Sequence, residues 1–243
     1  MSRALTLALL ALAVGCGTRR PIVDAATTTA AATTIAGPTS AVSTTTIAPT
    51  TTAAPTTTTS SEPATTARPT PLMTRIAQLT VAADVPVPGY SRRMFGSGWA
   101  DANGNGCRTR CEVLARDRRT DLAGLPNGGW LSAYDGYTTD NPAELDIDHV
   151  VPLEEAWRSG AATWTPAHRV AYANNLDDPT ALVAVTAASN RAKGSRDPAI
   201  WQPSNRADWC AYVAAWVNVK LTWSLTADPA EVRALTNMAS GCP

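Results

Sequence analysis

Leu145-Asp146-Ile147-Asp148-His149-Val150-Val151-Pro152-Leu153 is the stretch on which the fold turns. Apolar residues alternate with carboxylates, which predicts a short strand over Leu145–Val151. In a strand, Asp146 and Asp148 share one face and His149 points to the other. The chain has only two His, and His149 is the one set among carboxylates. An Asp beside a His lets the carboxylate hold a divalent cation while the imidazole meets a water.

Working outward, Leu182–Val185 is a brief apolar strand, and Thr186–Lys193 reads as a helix closed by Gly194. That helix carries Asn190 and runs into Arg191, Lys193 and Arg196. An Asn followed by basic residues suits a metal ligand beside phosphate-binding side chains. Strand with Asp-His, second strand, helix with Asn is the order of a ββα metal-binding unit. Leu153–Ser159 between them is predicted helical, with Leu153, Ala156 and Trp157 on its apolar side. Thr165-Pro166 is an N-cap followed by Pro at the first helical position, so a helix should run to Asn174.

The remaining elements are helices over Thr74–Ala83, Arg110–Arg119 and Arg206–Trp223, and one starting at Asp228-Pro229-Ala230-Glu231 with a capping Asp and an acidic third residue. Gly129–Tyr137 is predicted as a strand. The class is α+β with helices predominating: a ββα core embedded in a mostly helical domain. The tryptophans at helical spacing read as core. His168 reads as a surface or structural residue.

The front of the chain has a different character. Residues 1–16 hold one Arg and an apolar run from Ala4 to Val14, the pattern of a signal peptide. Ala13-Val14-Gly15-Cys16 looks like a bacterial lipobox, which would acylate Cys16 and anchor the chain to the outer face of a membrane. Residues 17–71 are rich in Ala, Thr and Pro and cannot bury enough apolar surface to offset ordering entropy; a disordered spacer is expected there. Residues 72–243 remain as one domain. All eight Trp lie within it. Residues 73–243 carry 16 Lys and Arg against 18 Asp and Glu, a charge near −2. This argues against broad electrostatic binding of nucleic acid, so any contact must be a local patch.

With Cys16 assigned to lipid, Cys107, Cys111, Cys210 and Cys242 are left, an even count that favours two disulfides in an exported protein. Three pairings are open. Cys107–Cys111 with Cys210–Cys242 is favoured, because the second bridge would staple the C-terminal tail to a long helix. Asp101, Asn103, Asn105, Gly106 and Glu112 have the spacing of a Ca²⁺ loop. Against that, Arg108 stands where an apolar residue normally sits, and a plain Asn/Gly turn leading into a helix is the competing reading.

DHVVPL, then LVAV, then SNRAKG resembles the HNH, or His-Me finger, nucleases. It most resembles secreted actinobacterial HNH endonuclease-like proteins related to the C-terminal domain of GmrSD-type restriction enzymes. Trp157-Arg158-Ser159-Gly160-Ala161, Tyr172-Ala173-Asn174-Asn175-Leu176, Asp197-Pro198-Ala199-Ile200-Trp201 and Cys210-Ala211-Tyr212-Val213 extend the resemblance over residues 95–243. It implies an extracellular endonuclease cutting DNA, and RNA as a second substrate, into 5′-phosphate products. His149 would be the general base. Asp148 and Asn190 would hold Mg²⁺ or Mn²⁺, with Asp146 in support. Arg191, Lys193 and Arg196 would contact phosphate, and the chain would act as a monomer. One departure stands out: Ala181 occupies the position where many of these enzymes carry an Asn that orients the His. A catalytically inactive, lipid-anchored binding module of the same fold is the alternative.

Overall fold

The computed structural model describes residues 70–243. The expected signal peptide, Cys16 and nearly all of the expected spacer lie outside the described residues. The first helix starts at Pro71 rather than Thr74: α1 spans Pro71–Ile76, because Thr70 caps it through its hydroxyl and Pro71 fits the first turn. α2 (Thr109–Asp117), β1 (Trp130–Leu131) and β2 (Thr138–Thr139) follow. The expected single strand over Gly129–Tyr137 is instead a hairpin, with Trp130 opposite Thr139. Gly136 allows the reversal by taking a φ of 74°, a left-handed conformation open to glycine at little cost.

β3 (Leu145–His149), α3 (Leu153–Arg158) and α4 (Pro166–Ala173) come next, then β4 (Leu182–Thr186) and α5 (Ala187–Lys193). Thr165 caps α4 as its sequence predicts, accepting from the His168 amide. β3 and β4 pair antiparallel, Asp148 opposite Val183 and His149 opposite Leu182. Thr186 ends β4 and also caps α5 through its hydroxyl, so the helix starts without a loop.

The β3–β4 ribbon divides two cores. Leu145, Ile147, Leu182 and Ala184 pack with Val113 of α2 and Trp130 in the smaller one. The larger one packs around α6 (Trp209–Thr222), which buries a wide face and leaves Ala211, Ala214, Asn218 and Thr222 on its more open side. α7 (Pro229–Ala239) begins with the capping box of Asp228 and Glu231. The Cys210–Cys242 disulfide joins α6 to the residues beyond α7, and Cys107–Cys111 joins the Asp101 loop to α2. Among the described residues no helix is long and apolar enough to cross a membrane.

Lys220 of α6 has 0% exposure and donates to Glu155 at 2.8 Å, Glu231 at 2.7 Å and the Thr226 carbonyl at 2.7 Å. It ties α3, α6 and α7 together in the interior. Removing one member of a buried ion cluster leaves uncompensated charge, costing about 3–5 kcal/mol. Lys220→Met should therefore lower unfolding free energy by about 3–5 kcal/mol in urea titration. A loss below about 1 kcal/mol would mean that the two carboxylates are relieved some other way.

Candidate active site

The strand pleat sends Leu145, Ile147 and His149 to the α2 side and Asp146 and Asp148 to the α5 side. On α5, Asn190 and Lys193 are three residues apart and face the same way. Two rungs result. Asn190 Nδ2 donates to Asp146 Oδ2 at 3.1 Å, and Lys193 Nζ donates to Asp148 Oδ2 at 2.7 Å. Lys193 Nζ also donates to the His149 carbonyl at 2.9 Å. The Tyr134 hydroxyl completes the set, donating to Asp148 Oδ2 at 2.7 Å. Asp148 Oδ1 makes no hydrogen bond among the described residues, and Asp148 lines a cleft with His149 and Asn190. Burial pushes the Asp148 carboxyl up and the Lys193 ammonium down, while each partner pulls the other back towards its charged form.

His149 is 6% exposed, and its ring is held from three directions. Its Nε2 sits 2.9 Å from the Ala173 carbonyl oxygen at the end of α4. A carbonyl only accepts, so Nε2 carries the proton and Nδ1 is left with its lone pair. Trp99 and Tyr172 both lie near-parallel to the ring, with centroids at 5.3 Å and 6.2 Å. The Tyr172 hydroxyl is itself fixed by donating to the Val151 carbonyl at 2.6 Å. Burial lowers the His149 pKa to about 3, so the imidazole is neutral throughout the neutral range.

The Ala173 carbonyl answers the question raised by Ala181. Ala181 is buried, and its carbonyl accepts from the Val150 amide. The His is oriented by main chain from α4 instead. Asn174, next in sequence, accepts from the Ala100 amide and the Thr109 hydroxyl, both at 2.8 Å, locking the Trp99 segment and α2 against the end of α4. A backbone acceptor has no residue-type signature, so this part of the site was invisible in the sequence.

Sequence reasoning placed Lys193 with Arg191 and Arg196 as phosphate contacts. Lys193 has no exposed surface and spends its donors on Asp148 and His149. Its place on the inner face of α5 forces this. Arg191 is exposed and stands 3.9 Å from Asp146. Arg196 is exposed and donates back to the Ala192 carbonyl. Neither Arg lines the cleft. Sequence reasoning missed Arg92, Arg93, Trp99 and Tyr134. Arg92 and Arg93 lie on a 3-10 turn, Arg92–Phe95, and Arg92 borders both cavities that meet at His149.

The Asp101 loop does gather its four expected side chains. Glu112 Oε1 accepts from Asn103 at 3.1 Å and Asn105 at 2.7 Å, and Asp101 accepts from the Asn105 and Gly106 amides. The loop is thus closed by its own hydrogen bonds. His168 is exposed and packs edge-on against Trp164, as its sequence context suggests.

The family model described as GmrSD restriction endonucleases, C-terminal domain, matches residues 115–238. An uncharacterized secreted protein of Arthroderma benhamiae is 42% identical over 171 residues, covering 69% of this chain and 82% of its own. No solved structure shows a significant match.

Two outcomes check the site. Long-range ¹H–¹⁵N spectra should show His149 as the neutral Nε2–H tautomer from pH 8 down to pH 5; a cationic ring at pH 6 would refute the burial argument. The depressed pKa means that its stabilising contribution is whole above the unfolded value near 6.5 and is lost as pH falls towards about 3. Lys193→Ala should cost about 3–5 kcal/mol in stability, whereas Arg191→Ala should stay within about 0.5 kcal/mol. Equal effects would contradict the burial of Lys193.

Proposed function

The chain belongs to the GmrSD restriction endonuclease C-terminal domain family, and from that premise we propose that it is an extracellular, metal-dependent endonuclease hydrolysing phosphodiester bonds of DNA, with RNA as a second substrate. The observation that carries this reading is the His149 ring. Its Nε2–H is committed to the Ala173 carbonyl, and its basic Nδ1 belongs to a residue that shares a cleft with Asp148 and Asn190.

The donor set fits a hard divalent cation such as Mg²⁺ or Mn²⁺. Asp148 keeps Oδ1 unbonded while Oδ2 is held by Lys193 and Tyr134. Asn190 gives its amide N–H to Asp146, which leaves its amide oxygen as a donor. All-oxygen ligands suit Mg²⁺ and Mn²⁺. When bound, such an ion supplies charge stabilisation to the phosphorane-like transition state and the leaving 3′ oxygen. Asp146 then acts as a positioning residue for Asn190.

His149 takes a proton from the attacking water at Nδ1, and the resulting imidazolium is stabilised through Nε2–H on the Ala173 carbonyl. At pH 7 the imidazole is neutral, so the Nδ1 lone pair is available to that proton, although burial weakens it as a base. Packing against Trp99 and Tyr172 restrains the ring from turning away. Export is supported by two disulfides and by the relative described as secreted. Lipid attachment through Cys16 and action as a monomer are part of the same proposal. The Ala173 contact removes one motive for an inactive binding module, since the missing Asn at Ala181 does not leave His149 unoriented.

A plasmid-nicking assay on the full chain tests the reading. Cutting should require Mg²⁺ or Mn²⁺ and stop with EDTA. His149→Ala should lose on the order of 10²–10⁴-fold in rate, the usual contribution of a positioned general base. Asp146→Ala should lose less than Asn190→Ala. Undiminished cutting by His149→Ala would reject the mechanism.

A further inference from the structure

Three recesses on the described surface adjoin through shared lining residues and together outline one groove. The cleft holding Asp148 and Asn190 shares Arg92, His149 and Leu153 with a second cavity of about 400 Å³. That cavity shares Gly98 and Trp99 with a third recess, bordered by Arg108 and Arg110. Resting on the hydrolytic reading above, we propose that this groove is the track for a single strand of nucleic acid, its phosphates held by Arg92, Arg93 and Arg108 as it leaves His149.

The charge pattern carries the proposal. Arg92, Arg93 and Arg108 are exposed, and none forms an ion pair among the described residues. Elsewhere Arg116, Arg119 and Arg158 are each matched to a carboxylate. Arg92, Arg93 and Arg108 therefore present unneutralised guanidinium groups along the recesses they border. Carboxylates border only the cleft end, where Asp148 and Glu154 lie. Arg110 is part of the wall but already donates to the Pro142 and Leu145 carbonyls, so it shapes the groove rather than seizing a phosphate.

The far wall is also built to stay in place. The Cys107–Cys111 bridge encloses Arg108, and the Thr109 hydroxyl is fixed by Ala100 and Asn174. A single strand fits because His149 lies at the bottom of a recess and is almost fully buried. The basic residues border successive recesses, and Trp99 and glycines line the middle segment for unpaired bases. Contacts of arginine with phosphate are electrostatic and tolerant of sequence, and aromatic walls accept any base.

The experiment is fluorescence anisotropy of a labelled single-stranded oligothymidylate, with the full chain in EDTA, across a salt series. The double variant Arg93→Ala/Arg108→Ala should bind on the order of tenfold more weakly, and its log–log salt slope should flatten by about 1.4 for two lost phosphate contacts. Arg233→Ala, an exposed change on α7, should bind as the wild type does. A hairpin duplex should bind more weakly than the single strand. Unaltered affinity and slope in the double variant overturn the track. Equal or tighter binding of the duplex overturns its single-strand character. Wild-type binding without cutting when metal is restored would sink the hydrolytic reading and leave the track standing.

Discussion

Lys193 is the residue on which the site depends. A fully buried ammonium is tolerable only with a counter-charge and enough acceptors, and Asp148 and the His149 carbonyl supply both. The consequences run both ways. The pair clamps α5 onto the end of β3, fixing the distance between the helix with Asn190 and the strand with His149. It also takes up Oδ2 of Asp148, together with Tyr134, and so turns the other oxygen loose. A carboxylate with one oxygen pinned and one free is pre-oriented for an electrophile, without a conformational search at the moment of binding.

That clamp uses the strand–strand–helix order economically. β4 leads straight into α5 through Thr186, whose backbone closes the ribbon opposite Leu145 and whose hydroxyl caps the helix. No loop intervenes to loosen the register. The pleat then sorts chemistry by face: the carboxylates go to α5, and the imidazole goes to the aromatic wall formed by Trp99 and Tyr172. The two meet again only at the strand's end, where the cleft wraps around it.

Much of this was legible in Leu145–Leu153 and in Ser189–Gly194, because a period-two strand and a capped helix have strong local signatures. The caps at Thr165 and Asp228 followed from local chemistry as well, and of the three open cysteine pairings the favoured one is formed. What was not legible depends on contacts between distant segments. Lys193 carries the residue type of a phosphate contact, and only the packing of α5 reveals it as interior. The orienter of His149 is a carbonyl, which every residue possesses. Gly129–Tyr137 has strand composition, yet Gly136 breaks it into a hairpin. Arg92 and Trp99 sit far before the motif, and Asn174 holds the Trp99 segment through the Ala100 amide, a contact that no spacing rule foretells.

The mildly acidic charge of the domain acquires a different meaning from this arrangement. Net charge measures the far field, which is screened within about 8–10 Å at physiological salt. A strand in contact with the groove feels only the arginines beside it. Pairing Arg116, Arg119 and Arg158 with Asp117, Asp121 and Asp84 neutralises three arginines away from the groove. It does not weaken the unpaired arginines along the groove. Such a domain has little pull on nucleic acid at a distance, and the attraction of the groove acts at short range. For a chain that must release cleaved ends and move to new ones, a short basic track serves turnover better than a basic face, because every additional phosphate contact slows departure as well as aiding arrival.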